Sequence, residues 1–231
     1  MTRKIVLVAT YNIHRAVGTD RRYDLGRVLT VLDEMQSMIV ALQEVGTPVD
    51  GEGPDQFECL HGHFGGEAVI APTIDTNRQR YGNCILSRYP IVSSEIVDLG
   101  IAGREPRNAI DAVIAAPRGA VRVLATHFGL GRGERRYQAE VLQKRLEHES
   151  EVPTLVMGDF NEWRQSSPLF RMLGMGSARR SRVASYPARL PVLPLDRILW
   201  RPDGLIGRLW TIGTGIARSA SDHLPVMAEI S

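Results

Sequence analysis

The sequence predicts an α/β protein of mixed, mainly antiparallel sheets covered by helices. Three observations carry this. Nine short runs rich in Val, Ile and Leu end in turn or polar residues; two of them adjoin like a hairpin; and two long amphipathic segments fall where crossovers between parallel strands belong. The runs are KIVLVATYN (4–12), MIVALQEV (38–45), GEAVIAPTI (66–74), NCILS (83–87), NAIDAVIAA (108–116), AVRVLATHF (120–128), TLVMGDF (154–160), LDRILW (195–200) and LPVMAEI (224–230).

The first helix starts after Asp24, a good N-cap, because Leu25, Val28, Leu29 and Leu32 recur at helical spacing and make one apolar stripe. A second is expected over residues 134–149, with Ala139, Leu142 and Leu146 inward among charged neighbours that form a solvated face. A third, shorter helix follows Pro168 to about Leu173 and is stopped by Gly174 and Gly176. Residues 108–116 and 120–127 read as a hairpin closed at Pro117-Arg118-Gly119. Residues 174–194 are the loopiest stretch, Gly129 to Gly133 reads as a flexible loop, and His61 with His63 reads as a polar loop.

The 231 residues, 43% hydrophobic and 23% charged, are enough for one well-buried core, so a single domain over 1–231 is the expectation. A formal charge of +2 fits an anionic substrate but falls short of a protein that coats nucleic acid. Cys59 and Cys84 are too few for a disulfide framework or a thiolate zinc site and read as partly buried thiols. Arg3 and Lys4 start like a leader, but the apolar run that follows is only Ile5 to Ala9. No stretch approaches the roughly 20 apolar residues needed to span a bilayer. The expectation is a cytoplasmic protein without stable membrane insertion.

The chemistry lies where polar residues close apolar runs. Asn12, Glu44, His127, Asp159 and Asn161 stand at the ends of runs, and Asp222-His223 opens the last one. A rigid sheet edge can hold such side chains in fixed geometry. Glu44, Asp159 and Asp222, with the amide oxygens of Asn12 and Asn161, make a hard oxygen-rich set suited to Mg²⁺, with Mn²⁺ as a substitute. Zinc fits less well, because His14, His127 and His223 are far apart and lack metal-ligand spacing. Taken singly, each residue also reads as an edge charge or a turn former; the alignment of all of them at strand ends favours a site. There is no nucleophile elbow and no P-loop.

In order along the chain, TYNIH (10–14), LQEV (42–45), YGNCILSRYP (81–90), ATHF (125–128), GDFN (158–161), LDRI (195–198) and SDHLPV (221–226) resemble the endonuclease/exonuclease/phosphatase superfamily of deoxyribonuclease I-like, metal-dependent phosphoesterases. The resemblance implies a four-layer α/β sandwich, two mixed sheets face to face with helices outside. It implies Glu44 as principal metal ligand, with Asn12 and Asp222 near the same ion, and Asp159 as the group that orients or deprotonates water. Asn161 would hold a phosphate oxygen, and His223 would be an imidazolium paired with Asp196. His127 would contact phosphate or protonate the leaving group, and Asn83, Arg107 and His14 would lie on the substrate side.

The sequence departs from the family in two places. His14 stands where abasic-site endonucleases carry an Asp, and Asn83 where deoxyribonuclease I carries a Glu that assists its acid histidine. The expected function is Mg²⁺-dependent hydrolysis of a phosphate ester by metal-assisted attack of water, first a phosphodiester, possible nucleic acid included. Arg179, Arg180, Arg182 and Arg189 could track a phosphate backbone. The alternatives are a phospholipid or sugar/inositol-phosphate esterase on the same site, and a non-catalytic binding module.

Overall fold

In the computed structural model, which describes residues 5–47, 53–76, 79–147, 152–175 and 182–230, eleven strands form two sheets. The six-stranded sheet has the order β10-β11-β1-β2-β4-β3, built from β1 (Val6–Asn12), β2 (Ile39–Gly46), β3 (Glu67–Asp75), β4 (Arg80–Ser87), β10 (Ile206–Thr211) and β11 (Val226–Ile230). The five-stranded sheet runs β5-β6-β7-β8-β9, from β5 (Ile91–Asp98), β6 (Asn108–Ala116), β7 (Gly119–His127), β8 (Thr154–Asp159) and β9 (Asp196–Arg201). Among the described strands only β1–β2 and β7–β8 pair in parallel. Each of these needs a crossover, and α1 (Leu25–Met35) and α3 (Arg132–Glu147) supply it.

The apolar runs are continuous because the central strands are buried on both faces. Val8, Ile39, Ala41 and Ile85 of the first sheet meet Ile110, Ala112, Val123, Leu155 and Met157 of the second. Their chain neighbours point outward. Ala9, Val40, Leu42 and Leu86 pack under α1 and under α2 (Gln56–Phe64), while Leu124, Val156 and Leu199 pack under α3 and α4 (Pro168–Met172). The result is the four-layer α/β sandwich.

Asp24 accepts a hydrogen bond from the Arg27 N–H and caps α1 as expected. Helix α3 begins at Arg132 and is described to Glu147, so Glu149 lies outside the described residues, as do Gly176, Arg179 and Arg180. Two sequence expectations are corrected. His61 and His63 lie on α2, capped by Asp55, with Phe57, Leu60 and Phe64 buried beneath; a glycine and two histidines in nine residues had masked its stripe. Residues 129–133 are not a loose loop, since Arg132 and Gly133 already belong to α3, and the Gly131 and Gly129 N–H groups donate to Glu134 and Gln138.

Strands β5 and β10 were not legible either. They lie at sheet edges, and β5 carries Ser93, Ser94 and Glu95 where a core strand would be apolar. Cys84 is fully buried and Cys59 partly so, both as free thiols. Among the described residues no helix is long and apolar enough to cross a membrane.

One buried polar cluster fixes α3 to its sheet. Arg122 on β7 grips Asp111 on β6 with two hydrogen bonds of 2.9 and 2.7 Å, and Arg145 of α3 adds a third of 2.6 Å. Burial alone would raise the Asp111 carboxyl, but the two guanidiniums outweigh it and hold it below its ordinary value. Removing the carboxylate strands Arg122, so Asp111→Ala should cost about 3–5 kcal/mol in urea denaturation. Because the folded value is depressed, this stability is complete above the unfolded carboxylate pKa of about 3.9 and is lost as pH falls through the folded value. The gap between wild type and Asp111→Asn should therefore close in acid.

Candidate active site

The parallel pairs β1–β2 and β7–β8 end at the same edge of the sandwich, and the residues that terminate them meet there. The Asn12 side-chain amide donates to Glu44 Oε1 at 3.0 Å and to Asp159 Oδ2 at 3.1 Å, bridging the two sheets. Its own oxygen accepts the His14 N–H at 3.0 Å. Asn12 is thus a strut between two carboxylates.

Local backbone geometry aims these groups. Between Leu42 and Val45 the register of β2 against β4 shifts, and Glu44 within this bulge has φ of 55°. A bulge turns a side chain out of the alternating pattern, and a non-glycine residue in this conformation costs of order 1–3 kcal/mol, which the surrounding sheet must hold in place. Asn161, at φ 49°, sits in the same conformation, one that asparagine tolerates well. Gly158 permits the approach of β8 to β7, since a Cβ there would lie 1.8 Å from the Thr126 carbonyl oxygen.

Two imidazoles face Asp159. His223 Nε2 lies 3.8 Å and His127 Nε2 3.6 Å from its Oδ2. His223 Nδ1 is bound to Asp196 Oδ2 at 2.7 Å, and Asp196 has no exposed surface. Burial alone would lower the His223 imidazole, but Asp196 and Asp159 outweigh it and push it up to about 10. His127 is driven the other way, by burial first and then by the positive charges of Arg107 and His223, well below its ordinary value. Burial raises Asp159 to about 6 against the pull of His223. The site therefore holds a charged imidazole, a neutral one and a carboxylate made more basic than usual.

These groups open into a cleft of about 650 Å³. Glu44, His127, Asp159, Asn161, Asp222 and His223 line it, as do Arg107 and His14 from the expected substrate side. Arg107 is nearly buried and donates to Glu105 at 2.6 Å. Asn83 is not brought into the cleft; it is buried and donates to Asn108 Oδ1 at 2.8 Å, a second bridge between the sheets. Asn161 donates to the Phe128 carbonyl at 2.8 Å and lies 3.2 Å from His127 Nε2.

Three contributors were missed by sequence reasoning. Ser221 Oγ donates to the Asn12 carbonyl at 2.8 Å and accepts the His223 N–H at 3.1 Å; it opens the SDHLPV segment, so a signal existed. The Tyr186 ring packs 4.9 Å from that of His223, and Arg15 lies over Tyr81 at 4.4 Å. Tyr186 comes from the loopiest stretch, where no pattern marks it.

Glu44, Asp159 and Asp222 reach this cleft without a Lys or Arg within ion-pair distance among the described residues. Hard oxygens without a Lys or Arg partner fit a divalent cation. Asp159, Asp196 and His223 also bring ligand-type atoms within 4.8 Å of one another. The buried 2.7 Å bond ties Asp196 to His223 as a hydrogen-bonded pair, with Asp159 3.8 Å from the far side of the ring, whereas Glu44 and Asp222 face the open cleft.

A sequence model of the Endonuclease/Exonuclease/phosphatase family matches residues 9–223. The chain belongs to this family. Members of the endonuclease/exonuclease/phosphatase family are hydrolytic, metal-dependent phosphoesterases. This member is similar to the uncharacterized protein YbhP of Escherichia coli, 32% identical with 96% of this chain and 95% of that one covered. An endonuclease/exonuclease/phosphatase structure from Beutenbergia cavernae superposes with a TM-score of 0.77 at 23% identity, over 99% of this chain and 72% of that one. A mannosyl-6-phosphatase from Bacteroides thetaiotaomicron gives 0.76 at 16% identity, over 98% and 99%.

If Glu44 holds a cation, Mg²⁺ should raise the melting temperature of the wild type in a dose-dependent way, because a ligand that binds the folded state stabilises it. Glu44→Gln keeps the shape but loses the charge. It should melt near the wild type in chelator and respond much less to Mg²⁺; an undiminished response would place the cation elsewhere.

Proposed function

We propose that this protein hydrolyses a phosphodiester of nucleic-acid type with the help of Mg²⁺, for which Mn²⁺ can substitute. The observation that carries the reading is Asp159, a buried carboxylate raised to about 6 beside a charged imidazole on the floor of an open cleft. Such a carboxylate is basic enough to take a proton from water near neutral pH. Asn12 and the Asn161 N–H, the latter 2.8 Å from Asp159 Oδ1, fix its orientation.

In this reading water attacks phosphorus as its proton passes to Asp159, and the bond from phosphorus to the leaving oxygen breaks with its electron pair on that oxygen, which takes a proton from solvent water. His223, kept protonated and oriented by Asp196, stabilises negative charge gathering on the phosphoryl oxygens. Asn161 supplies a neutral donor to the same oxygens. His127 lacks a positive charge in the free enzyme; with its proton on Nε2 it donates to the phosphate, leaving the second N–H of the neighbouring Asn161 amide for the same oxygens. Arg107 and His14 line the substrate side. Glu44 and Asp222 would hold the cation, with Asn12 fixing the Glu44 carboxylate; when bound, the ion supplies Lewis-acid stabilisation of the developing charge.

A second reading, a sugar-phosphate monoesterase, is favoured by the structural likeness to the Bacteroides mannosyl-6-phosphatase. Assays of plasmid DNA, single-stranded DNA, RNA, sphingomyelin, sugar and inositol phosphates and a chromogenic phosphodiester, each with Mg²⁺, Mn²⁺ or chelator, separate the readings. Turnover that persists in chelator would sink the metal-assisted mechanism, and turnover of sugar phosphates alone would favour the second reading. Asp159→Asn and His223→Ala should each lower the rate about a hundredfold or more, as loss of a base or a main electrostatic stabiliser does.

A further inference from the structure

Beside the catalytic cleft lies a second, basic depression. It consists of two adjoining clefts of about 580 and 470 Å³ that share Arg164 and Ser166. Arg132, Arg135 and Arg136 line the first and Arg182 the second, against a single carboxylate, Glu162. That carboxylate is already engaged, accepting from Ser167 Oγ at 3.1 Å and the Arg164 N–H at 2.9 Å, with Arg135 at 3.5 Å. Arg136 pairs with Glu140. Among the described residues Arg132, Arg164 and Arg182 have no carboxylate partner, and all three are exposed.

The depression is built rather than incidental. Arg135 is 8% exposed and binds the Gly129 and Leu130 carbonyls, fixing the wall, while its Nε donor has no acceptor among the described residues. Arginine clusters favour phosphate, and an aromatic platform completes this one. Trp163 is 50% exposed, with the Arg164 guanidinium 5.2 Å from its ring. The two clefts are neighbours along the chain, since Asn161 of the catalytic cleft is two residues from Trp163 and Leu130 is two from Arg132. Two residues span at most about 7 Å, so one strand could occupy both.

We propose that this depression is an extended subsite for single-stranded nucleic acid. Arg132, Arg164 and Arg182 take non-reacting phosphates and Trp163 stacks on a base flanking the bond to be cut. Stacking together with salt-dependent backbone contacts is how single strands are held without sequence preference. The proposal rests on the phosphodiesterase reading for its orientation, but binding can be tested apart from turnover.

The test is titration of the whole protein with a fluorescein-labelled oligothymidylate in chelator at several salt concentrations. Trp163→Ala should weaken binding about tenfold or more. Arg132→Ala and Arg164→Ala should each reduce the slope of log affinity against log salt by about 0.7. All three should turn over a chromogenic phosphodiester with Mg²⁺ as the wild type does. Oligonucleotide binding unchanged in these variants would overturn the subsite, as would arginine-dependent binding to anionic phosphatidylserine vesicles with none to the oligonucleotide. If the wild type hydrolyses no ester yet binds the oligonucleotide through these residues, the hydrolase reading fails and the binding surface stands.

Discussion

Burial of the central strands on both faces is the constraint from which the rest of the molecule follows. With one side of β1, β2, β7 and β8 against the opposite sheet and the other beneath helices, a strand offers little place for a polar side chain except its ends. The parallel pairs β1–β2 and β7–β8 then bring four of those ends to one edge. Asn12, Glu44, His127 and Asp159 cluster because the interior excludes them and the topology gives them one exit.

This explains which parts could be read in advance. Strands buried on both faces announce themselves as unbroken apolar runs, and the helices that cover them by a stripe at helical spacing. Edge strands answer to neither rule. Strand β5 pairs on one side only and is largely exposed, so Ser93, Ser94 and Glu95 are as acceptable there as valine. Helix α2 is short, and its buried apolar residues are Phe57, Leu60 and Phe64. At the site, residues that end strands were visible because polarity changes abruptly there. Tyr186 was not, since it reaches His223 from a stretch where composition says only loop. Asn83 shows the opposite error: the family resemblance put it on the substrate side, but the inter-sheet partner Asn108 draws it inward.

Electrostatics within the site follow from the same burial. Two histidines near one carboxylate would both be neutral if burial alone acted. Asp196 breaks that symmetry by holding His223 from behind, and the charge created there helps keep His127 neutral. One hidden carboxylate thus assigns different protonation states to two like side chains. That division of labour needs no contact between Asp196 and the open cleft.

The Asn12 strut has a further implication. It ties Asn12 to Asp159, 147 positions away and on the opposite sheet, so the spacing of the reactive groups is a direct measure of how the two sheets are seated on each other. Side chains deep in the intervening layer, such as Ala41 and Met157, then act as shims. A change in their volume that the fold tolerates would still offset one half of the site against the other, and relatives of this protein could retune their chemistry from the interior without altering any group that meets the substrate.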